Sequence, residues 1–358
     1  MKAAVLEAVG QLVIREVARP ALKGPDWARI KVRAVGICGS EIHAFQGTHP
    51  FRKPPSILGH EVTGDVVELG PDARVGNVPG FSVGERVFVD PQWTCGRCLY
   101  CTTGRHNLCP DKVVLGTTRW PGGLGETIVA PASALYPLPD HVSYVEGTTI
   151  EPLAVGVHMI ERAQVAAGET VAVLGAGTIG MMVAAVARVR GAAPVIAVDL
   201  QEHCLRVAGA HMGATDCLIV DTRPLPERVR AIAGGDGKAA GKAAGIDATF
   251  LTVGVPALLD DAIAMAALEG RIMFVALYDR PVTLRPNDLL DKHLTLLAST
   301  MYNASEIQTA VDLVATGQVN AGAIVTHVLP LEQAQRAFDL AASKAEGAIK
   351  VVIEMDAD

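Results

Sequence analysis

The chain has 358 residues, 50% of them hydrophobic and 19% charged, with 36 glycines and 21 prolines. That is the make-up of an ordered globular protein with room for about two domains. Its 38 acidic and 31 basic residues leave a net charge of -7, and only 4% of residues are aromatic, which excludes the basic footprint and the stacking platforms of a nucleic-acid binder.

The opening residues, MKAAVLEAVGQLVIREV, alternate like a strand. They show no apolar core followed by a small-residue cleavage site, so no signal peptide is expected and the chain reads as soluble and cytoplasmic. Short apolar runs broken by Gly and Pro continue to about residue 150: ARIKVRAVG, GDVVELG, GERVFVD and ETIVAPASALYPLP. Many short strands of this kind predict an all-β, barrel-like region.

Two constellations inside that region carry chemistry. GICGSEIH (36–43) and GHEVTGDVVELG (59–70) hold Cys38, His60 and Glu61, and the later EPLAVGVH holds Glu151. Singly, Cys38 would be a small buried residue and His60 a satisfied core histidine. Together, a thiolate, an imidazole and a carboxylate make a mixed set of three zinc ligands. Such a set leaves a fourth position open, as a catalytic zinc requires. The second constellation is CGRCLYCTTGRHNLC (95–109), where Cys95, Cys98, Cys101 and Cys109 fall within one short loop. In a reducing compartment such a cluster binds metal rather than forming disulfides. Four thiolates close a zinc tetrahedron, so this loop is expected to hold a structural ion with no open corner. A redox C-x-x-C pair would want a helix start in a thioredoxin-like context, and none is visible.

From about residue 165 the pattern changes to apolar strands alternating with helix-length segments: VAVLGAG, VIAVD, DCLIV, DATFLTV, RIMFVAL. This predicts a parallel, doubly wound sheet and an α/β fold class. The uncharged run at 171–187 nearly meets the length of a membrane span. Its glycines, and Arg188 and Arg190 after it, read instead as strand, tight turn and buried helix. Gly175, Gly177 and Gly180 follow directly on the first strand, with Thr178 and Ile179 between them. This is the G-x-G-x-x-G turn that lets a pyrophosphate approach backbone at a helix N-terminus. Asp199 ends the next strand, where a carboxylate accepts from the adenosine ribose hydroxyls and repels a 2'-phosphate, so NAD(H) is expected over NADP(H). The patch GGDGKAAGKAAG (234–245) predicts a mobile surface loop. The last segment, from about 293, offers helices at SEIQTAVDLVATG and LEQAQRAFDLAAS and a strand at AIKVVIEM. No internal repeat is present.

With these pieces in order the chain resembles the zinc-dependent medium-chain alcohol dehydrogenases, most of all the polyol (sorbitol-type), butanediol and threonine dehydrogenases. GHEVTG…G, the four-cysteine loop, the glycine fingerprint and the closing GAIKVVI carry the resemblance over the full length. It implies a GroES-like β-barrel catalytic domain at 1–152 with the structural-zinc lobe at 90–112. A Rossmann NAD-binding domain at 153–292 and a return to the catalytic domain at 293–358 complete that plan. It implies two zinc ions per chain, with Cys38, His60 and Glu61 or Glu151 at the catalytic one, and a homodimer or homotetramer. Ser40 and His43 stand at the family's proton-relay positions. The implied reaction transfers hydride between NAD(H) and a secondary alcohol or ketone, a polyol or vicinal diol.

Two departures from the family pattern stand out. Glu41 replaces the usual Asp that braces the zinc-bound histidine, and the added methylene leaves open whether that brace is made. Met301 and Tyr302 stand where sorbitol-type enzymes tend to carry Arg-Tyr, which points to a less hydroxylated substrate. Phe45, Phe51, Trp120 and Tyr302 are candidate pocket walls. Competing readings are a threonine-type amino-alcohol dehydrogenase, a zinc-stabilised binding or regulatory protein with no activity, and a zinc-free quinone-reductase-like member.

Overall fold

The computed structural model describes residues 1–73, 82–234, 245–278 and 280–355. The loop expected at 234–245 falls almost wholly outside them. The chain divides into two compact units, one made of 1–151, 303–315 and 324–358, the other of 152–302 and 316–323.

The first unit is built on a seven-stranded sheet. Its central strand, Trp27–Gly36, alternates over residues 28–34: Ala28, Ile30, Val32 and Ala34 are fully buried, while Arg29, Lys31 and Arg33 point to the other face. Burying an Ile or Val stabilises by about 1.5–3 kcal/mol, and the period of two lets only one register do so. This strand pairs antiparallel with Glu61–Leu69, with Thr127–Pro131 at its first half and with Lys350–Glu354 at its end. The carboxy-terminal strand therefore sits beside residues 34–36, far away in sequence. Phe45 packs on Phe338 with centroids 5.4 Å apart, and Trp27, Trp93 and Trp120 stack edge-on around the core. Phe45 and Trp120 are thus core residues, not pocket walls.

The second unit carries a six-stranded, all-parallel sheet. In spatial order its strands are Asp216–Ile219, Val195–Asp199, Val171–Leu174, Ile246–Leu251, Ala266–Phe274 and Thr295–Ala298. Counted from the first in sequence, this is the 3-2-1-4-5-6 order of a dinucleotide-binding sheet, whose direction of winding reverses between the Val171 and Ile246 strands. Val171–Leu174 is buried on both faces, which is why it reads as an unbroken apolar run and not an alternating one. The return to the first unit comes at Asn303 and not at the expected 293. Thr295–Ala298 completes the parallel sheet by pairing with Arg271–Phe274, and one more strand of ladder holds that stretch in the second unit. Among the described residues no helix is long and apolar enough to cross a membrane.

Candidate active site

Three segments of the first unit converge at one point. Strand Trp27–Gly36 ends and delivers Cys38 at the start of helix Gly39–Phe45. Strand Glu61–Leu69 begins with Glu61, registered opposite Gly36, and is preceded by His60. Lys350 opens the carboxy-terminal strand beside them. The ligand atoms of Cys38, His60 and Glu61 all lie within 4.8 Å of one another. Glu151, in the first turn of helix Ile150–Ala163 and buried, lies outside this group. A hydrogen-bonded network and close packing set the three donors. A Cβ at Gly36 would lie 1.9 Å from Glu61 Oε2, so glycine makes the room the carboxylate occupies.

Glu41 organises the cluster. Its Oε1 accepts from Gly59 N at 2.8 Å and lies 2.7 Å from His60 Nδ1, and its Oε2 accepts from Cys38 N at 2.9 Å. The longer side chain reaches the histidine, so the brace left open by the sequence is made. The added methylene is absorbed because Glu41 sits at the third helical position and folds back on the residue that starts the helix, the capping geometry that glutamate suits. Burial alone would raise its carboxyl, but His60 and its other donors pull it down to about 2. His60 Nδ1 also lies 3.4 Å from Arg52 Nη1. A carboxylate only accepts, so the Nδ1 proton points to Glu41, and Nε2 is the ring nitrogen left to face a metal.

Two buried cations complete the site, and the motifs pointed to neither. Lys350, 1% exposed at the side chain, donates to Glu61 Oε1 at 2.6 Å and to Ile37 O at 3.2 Å. Burial by itself would lower its pKa, but the carboxylate of Glu61 outweighs that and the net shift is upward. The signal for Lys350 was a lone lysine inside the apolar run AIKVVIEM. Arg52 donates from Nη1 to Ser40 Oγ at 2.8 Å and from Nη2 to Leu115 O at 3.2 Å. In HPFRKPP nothing separates it from a surface arginine.

Ser40 and His43 project from the same short helix as Glu41, and both are half-buried. Thr48 donates its hydroxyl hydrogen to His43 O at 3.2 Å, so at 3.0 Å its oxygen accepts from His43 Nδ1. His43 Nε2 is then the basic nitrogen.

The four-cysteine loop is a separate cluster. Cys95, Cys98, Cys101 and Cys109 place their sulfurs within 4.8 Å of one another, with neighbouring pairs at 3.5, 3.6 and 3.9 Å. The edge of a tetrahedron with zinc–sulfur bonds of about 2.3 Å is about 3.8 Å, so the sulfurs already stand near the corners. All seven cysteines are free thiols. Backbone N–H groups of Arg97 and Cys98 pull Cys95 down to about 6, while burial pushes Cys101 up to about 11.

In the second unit the glycine turn has the shape a dinucleotide needs. Gly175 has φ +107°, and a Cβ there would meet Thr252 Oγ1 at 2.6 Å. A Cβ at Gly180 would meet Gly175 O at 1.8 Å, whereas at Gly177 it would meet nothing within 4 Å. The first and third glycines are thus imposed by packing, and the second faces open space at the start of helix Thr178–Val189, where a pyrophosphate is favoured. Asp199 Oδ2 accepts from Ala176 N at 2.6 Å and Oδ1 from Gln201 N at 2.8 Å, so the carboxylate is held against the turn. Thr178 and Ile179 are half-buried in the first turn of that helix.

Comparison with known proteins identifies the family of the chain. Residues 24–140 match the family model of the alcohol dehydrogenase GroES-like domain, and residues 178–316 that of the zinc-binding dehydrogenase. Sorbitol dehydrogenase of Bacillus subtilis is 33% identical over 99% of this chain and 97% of its own length. A putative zinc-binding dehydrogenase from Sinorhizobium meliloti, solved bound to NADP, is 33% identical with a TM-score of 0.87 over 99% of this chain and 98% of its own. An Escherichia coli alcohol dehydrogenase solved with NADH is 27% identical, with a TM-score of 0.87 over 99% of both chains. The chain belongs to the zinc-dependent medium-chain alcohol dehydrogenase family, with a GroES-like domain and a Rossmann domain.

Proposed function

We propose that this protein is an NAD(H)-dependent zinc dehydrogenase that interconverts a secondary alcohol, a polyol or vicinal diol, and its ketone. The observation that carries the reading is the convergence of Cys38, His60 and Glu61 within 4.8 Å, with half-buried Ser40 and His43 on the adjoining helix. A thiolate, an imidazole with Nε2 free and a carboxylate suit zinc. When bound, zinc supplies Lewis acidity, which acidifies an alcohol hydroxyl or polarises a ketone. The rest is done by the chain. Glu41 holds the His60 ring and its tautomer, and Lys350 balances the charge of Glu61. Ser40 accepts the proton of the reacting alcohol while handing on its own, and His43 Nε2 is the base at the far end of the relay. Cys95, Cys98, Cys101 and Cys109 hold a second zinc whose role is to pin the lobe.

Asp199 supports NAD(H): a carboxylate held against the glycine turn, followed by neutral Leu200 and Gln201, offers acceptors to ribose hydroxyls and repels an added phosphate. The relatives also support a polyol, since a sorbitol dehydrogenase is among them. The test is oxidation of vicinal diols, polyols and L-threonine with NAD+ and with NADP+. Turnover with NAD+ on polyols or diols is expected. Turnover confined to threonine, or a preference for NADP+, would overturn the corresponding part of the reading.

A further inference from the structure

Among the described residues the Ser40 hydroxyl has one partner, the guanidinium of Arg52, whose Nη1 donates to Oγ at 2.8 Å. Nη1 also lies 3.4 Å from His60 Nδ1, but that nitrogen gives its proton to Glu41, so Ser40 Oγ is the acceptor of Nη1. Arg52 is 4% exposed and held from two sides. Its Nη2 donates to Leu115 O at 3.2 Å, and its backbone N–H to His49 Nδ1 at 3.1 Å. Its counter-charge is Glu41: burial raises that carboxyl, while His60 and then Arg52 pull it down. A serine hydroxyl has one hydrogen and two lone pairs, and a guanidinium only donates. One lone pair of Ser40 Oγ is therefore taken by Arg52, and the hydrogen has to point elsewhere. One lone pair and one hydrogen remain, which is what a relay needs: a place to receive a proton and a proton to hand on.

We propose that Arg52 is a positioning residue of the proton relay, which fixes the Ser40 oxygen from behind so that its hydrogen turns toward the His43 side. The inference rests on the reading of Ser40 and His43 as the relay, and deepens it. His43 stands three residues further along helix Gly39–Phe45, on the same face, with Nδ1 committed to Thr48 and Nε2 basic. In the exchange the Ser40 O–H bond breaks and its proton moves toward His43 Nε2, while the O–H bond of the alcohol breaks and its proton restores the serine. Hydride leaves the carbinol carbon for NAD+ with the electron pair of its bond. The alcohol has then lost one proton and one hydride and is the ketone, and Ser40 and Arg52 end as they began. A positive charge one hydrogen bond from Oγ stabilises the serine when its own proton leads and disfavours the opposite order, which would place a cation beside a cation.

The test uses the zinc-loaded enzyme with NAD+ and sorbitol or 2,3-butanediol, whichever turns over faster. Steady-state kinetics and solvent deuterium isotope effects are measured for the wild type, Arg52→Met, Arg52→Lys, Ser40→Ala and the double variant Arg52→Met/Ser40→Ala, with zinc counted in each. Losing a charge-assisted hydrogen bond that acts in the transition state should lower kcat of Arg52→Met by about 10- to 100-fold and leave KM within about threefold. Its solvent isotope effect on kcat should rise, because proton transfer becomes limiting, and Arg52→Lys should recover part of both. In the Ser40→Ala background, loss of Arg52 should cost no more than about twofold further, since the group it acts through is gone. If Arg52→Met does not fold, Arg52→Gln takes its place in the same cycle. Equal losses from Arg52→Met with and without Ser40, an unmoved isotope effect, or loss of the catalytic zinc overturns the inference alone when Ser40→Ala is itself slow. Ser40→Ala as active as the wild type sinks the relay reading and the inference with it, and absence of turnover by the wild type on both alcohols sinks the dehydrogenase reading and the inference together.

Discussion

The two donor clusters of the first unit solve opposite problems. The cysteine lobe takes four identical donors from one short loop, Cys95 to Cys109, and three of those residues are partly exposed. The Cys38–His60–Glu61 cluster draws on separate segments, buries His60 and Glu61, and surrounds them with charges that are not donors themselves: Glu41, Arg52 and Lys350. A closed all-thiolate site needs little beyond its own ligands. An open mixed site has to hold a vacant position and a tunable charge, and only a packed surrounding shell can do that.

The sharpest way to break the comparison is to remove one ligand from each side. Cys38→Ser should lower kcat/KM by about a thousandfold or more and reduce the zinc content from about two per chain to about one, with little change in thermal stability. Cys98→Ser should also cost one zinc, but its main effect should be a lower Tm, because a structural site contributes folding energy directly. Metal analysis with differential scanning calorimetry on both variants decides it. Equal losses of activity and stability in the two would remove the distinction.

Next in size is the buried pair behind the mixed site. Lys350→Met leaves the Glu61 carboxylate buried without its cation and should destabilise the first unit by about 3–5 kcal/mol. The double variant with Glu61→Gln should regain part of that, as read by chemical denaturation. A single variant as stable as the wild type would show that Lys350 is not compensating Glu61.

Glu41→Gln tests the brace. It keeps the length but removes the charge that orients His60, and affinity for the catalytic zinc should fall about 10- to 100-fold, measured by competition with a chelator. The lobe zinc should be unaffected.

The smallest expected effect concerns pH. His49 accepts from Arg52 N at 3.1 Å, and its folded-state value of about 4 lies below the ordinary 6.5. The unfolded chain therefore takes up the proton first, and the contribution is full above pH 6.5 and lost as pH falls toward 4. His49→Asn should flatten the fall of Tm over that window by a few degrees. An unchanged slope would rule His49 out as its source.

Local motifs made much of this legible beforehand. The cysteine spacing, the glycine turn after VAVL and the alternation of ARIKVRAVG each fall within a dozen or so residues, and their chemistry or period depends on nothing farther away. Cys38, His60 and Glu61 were visible as residue types, but no spacing showed that they meet. Glu41 looked too long for its task until the capping turn of its helix was seen. Arg52 and Lys350 carried almost no signal, since a charged residue in sequence reads as solvent-facing until its neighbours are known.

By itself, then, the amino-acid order determined the two kinds of strand, the dinucleotide turn and the thiolate clasp, because each is set by the pattern of near neighbours along the chain. The tertiary structure decided how the mixed cluster is charged. It did so by laying Lys350–Glu354 against residues 34–36 and folding Arg52 beneath Ser40. Electrostatic balance in a buried site is set by distance in space, which sequence separation does not encode.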